Sequence, residues 1–116
     1  MMNQGVRRFM DDMAQLGLSP RVEAELVIYR IEPVEGAHAG VAVETGVSTD
    51  ELVPWPQAPP HWVHLPADIA FSRTNSQASP KQGWLMHSRQ LNGWGDAPPG
   101  KCWAGHVRSV LGEATA

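Results

Sequence analysis

Cys102 is the one thiol in the chain, and its setting is that of a nucleophile. It follows Pro98-Pro99-Gly100-Lys101, where the prolines and glycine stop any preceding regular structure and bring residues 101 and 102 to the first turn of a helix. Unpaired backbone N–H groups, the positive end of the helix dipole and the adjacent Lys101 all suit a thiolate there. His106 stands at i+4 from Cys102, on the same side of that helix and within reach of the sulfur. The bland reading of the same residue is a small buried hydrophobe, the usual fate of a lone cysteine in a small domain.

The elements that must position this thiol can be read outward from it. Trp103, Val107, Val110, Leu111 and Ala114 recur at helical spacing, giving the last helix one apolar face that needs a partner. Residues 3–17 place Val6, Phe9, Met10, Met13 and Leu16 on one side and Arg7, Arg8, Asp11 and Asp12 on the other, an amphipathic helix ended by Gly17 and Ser19-Pro20. From Val22 to Ile31 the period changes to two and predicts a strand with one buried face. Pro33 to Gly40 is turn chemistry, with His38 as an exposed loop residue, and Val41 to Thr45 makes a second strand in a hairpin with the first. Gly46 to Asp50 turns again, and Glu51-Leu52-Val53 reads as a third extended piece.

Pro54, Pro56, Pro59 and Pro60 exclude helix and central strand, so residues 54–60 are expected as a fixed extended flap on the surface. A proline-rich ligand for an SH3-type partner is the alternative, but this segment interrupts a folding domain. His61 to Leu65 suits a fourth strand ended by Pro66. Residues 67–82, with Ser72, Thr74, Asn75, Ser76, Ser79 and Pro80, read as a long polar loop, and Gly83 to Arg89 as an irregular apolar stretch. Helix, four-stranded meander, proline-rich flap, irregular region and helix make an α+β fold.

At 116 residues the chain is one domain by length, and with 42% apolar residues its composition is that of a soluble protein. A formal charge of −3 and no Lys/Arg cluster argue against nucleic acid as a partner. One cysteine excludes an internal disulfide and suits a reducing compartment. No apolar run nears the roughly 20 residues of a membrane span, nor does a signal-peptide core open the chain, so no membrane partner and a cytoplasmic location are expected. Of five tryptophans, against two phenylalanines and one tyrosine, four lie between Trp62 and Trp103 and are read as rings that fasten irregular backbone into the core.

The order of elements and several strings resemble the ubiquitin-conjugating enzyme (UBC-like) superfamily over residues 4–114. ELVPWPQAPP is similar to its proline-rich segment, WVHLPADI to the strand entering its histidine-proline motif, and GWLMHSRQLNGW to its active-site segment with a downstream tryptophan. The nearest resemblance is to divergent bacterial families encoded beside a ubiquitin-like protein, an activating enzyme and a metalloprotease in Bil-type antiphage operons. It implies a transferase that takes a ubiquitin-like protein from an activating-enzyme-like adenylyltransferase as a cysteine thioester and passes it to a target protein amine, without a cofactor. Its alternative is an inactive adaptor that only binds the ubiquitin-like protein or the activating enzyme. The main family keeps its cysteine three residues after the glycine of the active-site segment. That position is Met86 here and His87 follows it, which leaves two outcomes, a non-catalytic variant or a nucleophile moved to Cys102.

Such a transfer needs a thiolate, stabilisation of a tetrahedral oxyanion and a route for the amine proton. The resemblance implies His106, His87, His64 and Asp68 for catalysis and Trp94, Arg89, Ser88 and Lys101 for substrate binding. Each histidine has a packing or capping role as its bland alternative, and Arg89 reads equally as a clamp on a carbonyl or carboxylate. A small cysteine hydrolase would use the same residues but lacks a Gly-x-Ser/Cys-x-Gly turn. His61, His64, His87, His106 and Cys102 fit no paired-ligand spacing, so no metal is expected.

Overall fold

Asn3 begins the first helix by accepting the Val6 N–H on its side-chain oxygen at 2.8 Å, which satisfies one of the orphan donors of the first turn. The computed structural model describes residues 3–72 and 75–116; Thr74, part of the expected polar loop, lies outside the described residues. In chain order the elements are α1 (Gln4–Gln15), β1 (Arg21–Glu23), β2 (Leu26–Ile31), β3 (Val43–Ser48), β4 (Trp62–Pro66), β5 (Ser76–Ala78), β6 (Trp84–Ser88) and α2 (Pro99–Gly112). Gly17 takes φ +77 after α1, and the Leu18 N–H turns back to the Met13 carbonyl at 3.0 Å, so the helix ends where the glycine allows a left-handed step.

The described strands form one six-stranded antiparallel sheet in the order β1-β2-β3-β4-β6-β5, between an N-terminal and a C-terminal helix: an α+β fold. Four strands were expected, and each discrepancy has a local cause. The expected strand from Val22 to Ile31 is a tight hairpin, because Ala24 and Glu25 take φ +53 and +65 and reverse the chain between β1 and β2. Two consecutive positive φ values are the geometry of a two-residue hairpin turn, which normally advertises itself with Asn or Gly.

The second strand runs on through Gly46 to Ser48, and residues 50–52 are a 3₁₀ turn where an extended piece was expected. The proline segment is a run of turns with a buried Trp55, not an extended surface flap. The polar 67–82 loop contains β5, and the stretch read as irregular, residues 83–89, is largely β6.

One face of the sheet carries the core. Val27, Tyr29 and Ile31 of β2 and Val63 and Leu65 of β4 pack with Phe9 and Met13 of α1 and Trp103, Val107 and Leu111 of α2. Phe9 meets Tyr29 edge-on at 5.6 Å and Trp55 at 4.9 Å, and Trp55 meets Trp94 at 5.2 Å. Each such pair contributes about 0.5–1.5 kcal/mol beyond the area it buries. Trp103 donates its indole N–H to the Tyr29 hydroxyl at 2.7 Å, so the largest buried side chain leaves no orphan donor. At Gly5 a Cβ would lie 1.7 Å from the Leu52 carbonyl oxygen, so only glycine lets α1 approach the 3₁₀ turn this closely.

The backbone ladder is sparse at the middle of the sheet. β3 and β4 share a single register pair, Gly46 with His64, whereas β2–β3 has six and β4–β6 five. The Thr45 hydroxyl adds one bond across this seam, to the His64 carbonyl at 3.2 Å.

Candidate functional site

Pro98 has the extended dihedrals that precede a helix, and Pro99 occupies the first helical position, where a missing N–H costs nothing. The Cys102 N–H bonds the Pro98 carbonyl at 3.0 Å, so Cys102 closes the first turn of α2 and its own amide already has a partner. Its side chain is half-buried, with Sγ 3.8 Å from the Gly93 carbonyl oxygen. Lys101 is exposed and faces the clefts between α1 and α2, beside Arg8, Asp12 and Leu16, rather than the Gly93 side.

His106 lies one turn further along α2, its ring tilted against Trp103 at 5.3 Å and half-buried. Its Nε2 is buried without a hydrogen-bond partner among the described residues. Burial pushes this imidazole below its ordinary range and the Arg89 guanidinium adds to that, while a hydrogen bond to the Arg89 backbone and the Glu113 carboxylate oppose it. A neutral imidazole is the form that can accept a proton.

The segment facing this side of α2 is the one that follows β6. The Arg89 guanidinium lies over the Phe71 ring at 5.0 Å and donates to the Ser88 carbonyl at 2.8 Å. The Ser88 hydroxyl meets His61 Nε2 at 2.5 Å. Trp94 donates to the Pro56 carbonyl at 2.7 Å and stacks edge-on against Trp55, which fixes the loop before α2 onto the proline segment. The structure thus brings Cys102 to the Gly93 turn and His106 to Arg89, with Trp94 on the wall beside them.

His64 does not join this group. Val63 and Leu65 point to the helices, so His64 between them faces the other side of the sheet, away from α2. Met86, its cross-strand partner, faces the same way. Met86, the position that the expected resemblance would give to a thiol, is therefore mid-strand on the face opposite Cys102. His87, opposite Val63, is on the helix side, buried, with its ring 4.9 Å from Phe71. Burial first and Arg89 second push His87 below the usual histidine range. Asp68 is exposed in the turn after β4 and makes no side-chain hydrogen bond to a described residue.

On the helix-free face lies a pocket of about 420 Å³, walled by Trp62, His64, Ala78, Ser79, Pro80 and Met86. The segment after β5 forms one wall: Ser79 Oγ meets His64 Nδ1 at 2.8 Å, and Lys81 sits 5.6 Å over the Trp84 ring while pairing with Glu23 of β1. An ion pair from this end of the sheet to β1 requires the sheet to curl toward the pocket. Burial, and then the charge of His87, push His64 down to about 4, so it is neutral near pH 7. Its Nε2 is buried with no hydrogen-bond partner among the described residues, a deficit of about 1–3 kcal/mol if nothing meets it.

Sequence reasoning missed three of these relations. The His61–Ser88 pair spans 27 residues and the His64–Ser79 bond 15. Glu51, read as part of a strand, accepts the His61 and Trp62 backbone N–H groups at 2.8 and 3.3 Å and so fixes the entry to β4. Local spacing carries no signal for any of them. Among the described residues no group of three or more His, Cys, Asp or Glu side chains could hold a metal ion, and no helix is long and apolar enough to cross a membrane. No protein-family model, curated protein or solved structure matches this chain.

Proposed function

We propose that this chain is a UBC-like carrier of bacterial antiphage defence, acting in the cytoplasm, that receives a ubiquitin-like protein on Cys102 and passes it to an amine of a target protein. The observation that supports it is the half-buried free thiol of Cys102 at the first turn of α2, against the Gly93 turn and one helical turn from His106. The Cys102 thiolate attacks the thioester on an activating-enzyme-like adenylyltransferase. A new carbon–sulfur bond forms and the activating enzyme's thiolate leaves, an exchange that keeps the acyl group reactive. The target amine then displaces Cys102, and its proton passes to a neutral imidazole, for which His106 is the candidate. Trp94 and Arg89 line the approach as the surface for the incoming chain, whereas Ser88, opposite Trp62, turns to the other face of the sheet.

The adaptor reading draws on a different observation, Met86 at the position the family reserves for its cysteine. Incubation with the cognate activating enzyme, ATP and ubiquitin-like protein separates the two. Carriage on Cys102 gives an adduct that a thiol reductant removes and that Cys102→Ala abolishes. An adduct untouched by Cys102→Ala, or binding without any adduct, rejects the carrier.

A further inference from the structure

The pocket on the helix-free face has a feature that the thiol chemistry does not use. His64 is 1% exposed, lines the pocket and carries one buried ring nitrogen without a partner among the described residues. The Ser79 hydroxyl decides which kind of group that nitrogen is. Ser79 Oγ already accepts the Lys81 N–H at 3.3 Å and meets His64 Nδ1 at 2.8 Å. If Nδ1 carried the proton, Oγ would accept twice, and both the hydroxyl proton and Nε2 would be left unused. With the proton on Nε2, the hydroxyl donates to Nδ1 and every group of Ser79 is satisfied. One unused group then remains, a donor at His64 Nε2.

The remaining walls are largely apolar, with Ser48, whose hydroxyl oxygen accepts the Asp50 N–H at 3.1 Å, at one side. Trp62, Met86, Pro80 and Ala78 offer a ring face, a thioether and small hydrocarbon surfaces, a lining that favours flat aromatic groups. Glu51 stands at the margin, but its carboxylate is already engaged by two backbone N–H groups, and its charge disfavours an anion. A volume of about 420 Å³ falls in the range of small-molecule sites. We propose that this pocket binds a neutral, planar aromatic small molecule whose single hydrogen-bond acceptor pairs with the His64 Nε2–H. The proposal is independent of Cys102, which lies on the other side of the sheet.

The test uses the full chain labelled with nitrogen-15, followed by NMR through the imidazole nitrogens while quinoline or naphthalene is added. The rings have the same shape, and only quinoline carries an acceptor. Quinoline is expected to bind about five-fold more tightly than naphthalene, the scale of one net hydrogen bond, and to shift the His64 Nε2 and Trp62 signals. Met86→Trp enlarges a half-buried wall that faces the pocket opposite His64 and lies outside the core, so it is expected to abolish binding in a folded protein. Equal affinity for the two rings, a His64 proton on Nδ1, signal changes elsewhere only, or binding that survives Met86→Trp each overturns the proposal. So does a His64 Nε2–H bonded to a water that quinoline does not displace.

Discussion

Lowering the pH should destabilise this fold well before its carboxylates titrate, and His64 is the main reason. Burial, with a contribution from His87, holds this imidazole at about 4, against 6.5 in the unfolded chain. A histidine depressed on folding stays neutral in the native state while the unfolded state takes up a proton. Its contribution to stability is therefore complete above about pH 6.5 and declines as pH falls toward about 4. Between about pH 7.5 and about pH 5 the unfolded state gains about 2 kcal/mol from protonating this one residue, and the folded state gains almost nothing. His87 and His106, also pushed down, steepen the decline in the same direction. Glu23, held below its usual range by Lys81, acts only at lower pH. Urea denaturation at both pH values measures the loss. His64→Gln removes the titration at nearly the same volume and is expected to recover about 2 kcal/mol of the pH dependence. Equal pH dependence in the wild type and the variant, or a wild type as stable at about pH 5 as at about pH 7.5, would refute the argument.

Two further substitutions probe the backbone. Gly5→Ala places a methyl group where the Leu52 carbonyl stands, at 1.7 Å, and must push α1 away from the 3₁₀ turn. It is expected to cost about 2–3 kcal/mol in chemical denaturation; a change below about 0.5 kcal/mol would contradict that close approach. Glu25→Gly relieves a non-glycine residue at φ +65 in an exposed turn and is expected to raise stability by about 1 kcal/mol. A thermal midpoint that falls in this variant would refute the turn geometry.

The two helices were legible because their apolar positions repeat at 3.6 and their ends carry Gly17 and Pro98-Pro99. The β1–β2 hairpin was not, because Ala24-Glu25 lacks the Asn or Gly that normally marks such a turn, and the residues on either side continue an alternating pattern. β5, with the polar sequence Ser-Gln-Ala, is exposed and held at the sheet edge by its ladder to β6 alone, so its composition could not set it apart from loop. Trp55 looked like surface among prolines, yet it is 3% exposed and donates to Asp12 of α1 at 3.0 Å. Cys102 and His106 could be placed on one side of α2 from spacing alone. That His64 belongs to the far face follows from register, which no local pattern records.

His64 stands at the one register pair between β3 and β4 and also in the wall of the pocket. Ser48 comes to that wall from β3, Trp62 and His64 from β4, Met86 from β6 and Ala78 from β5. A group seated there would touch four strands at once and so tie together neighbours that the backbone ladder joins only in pairs.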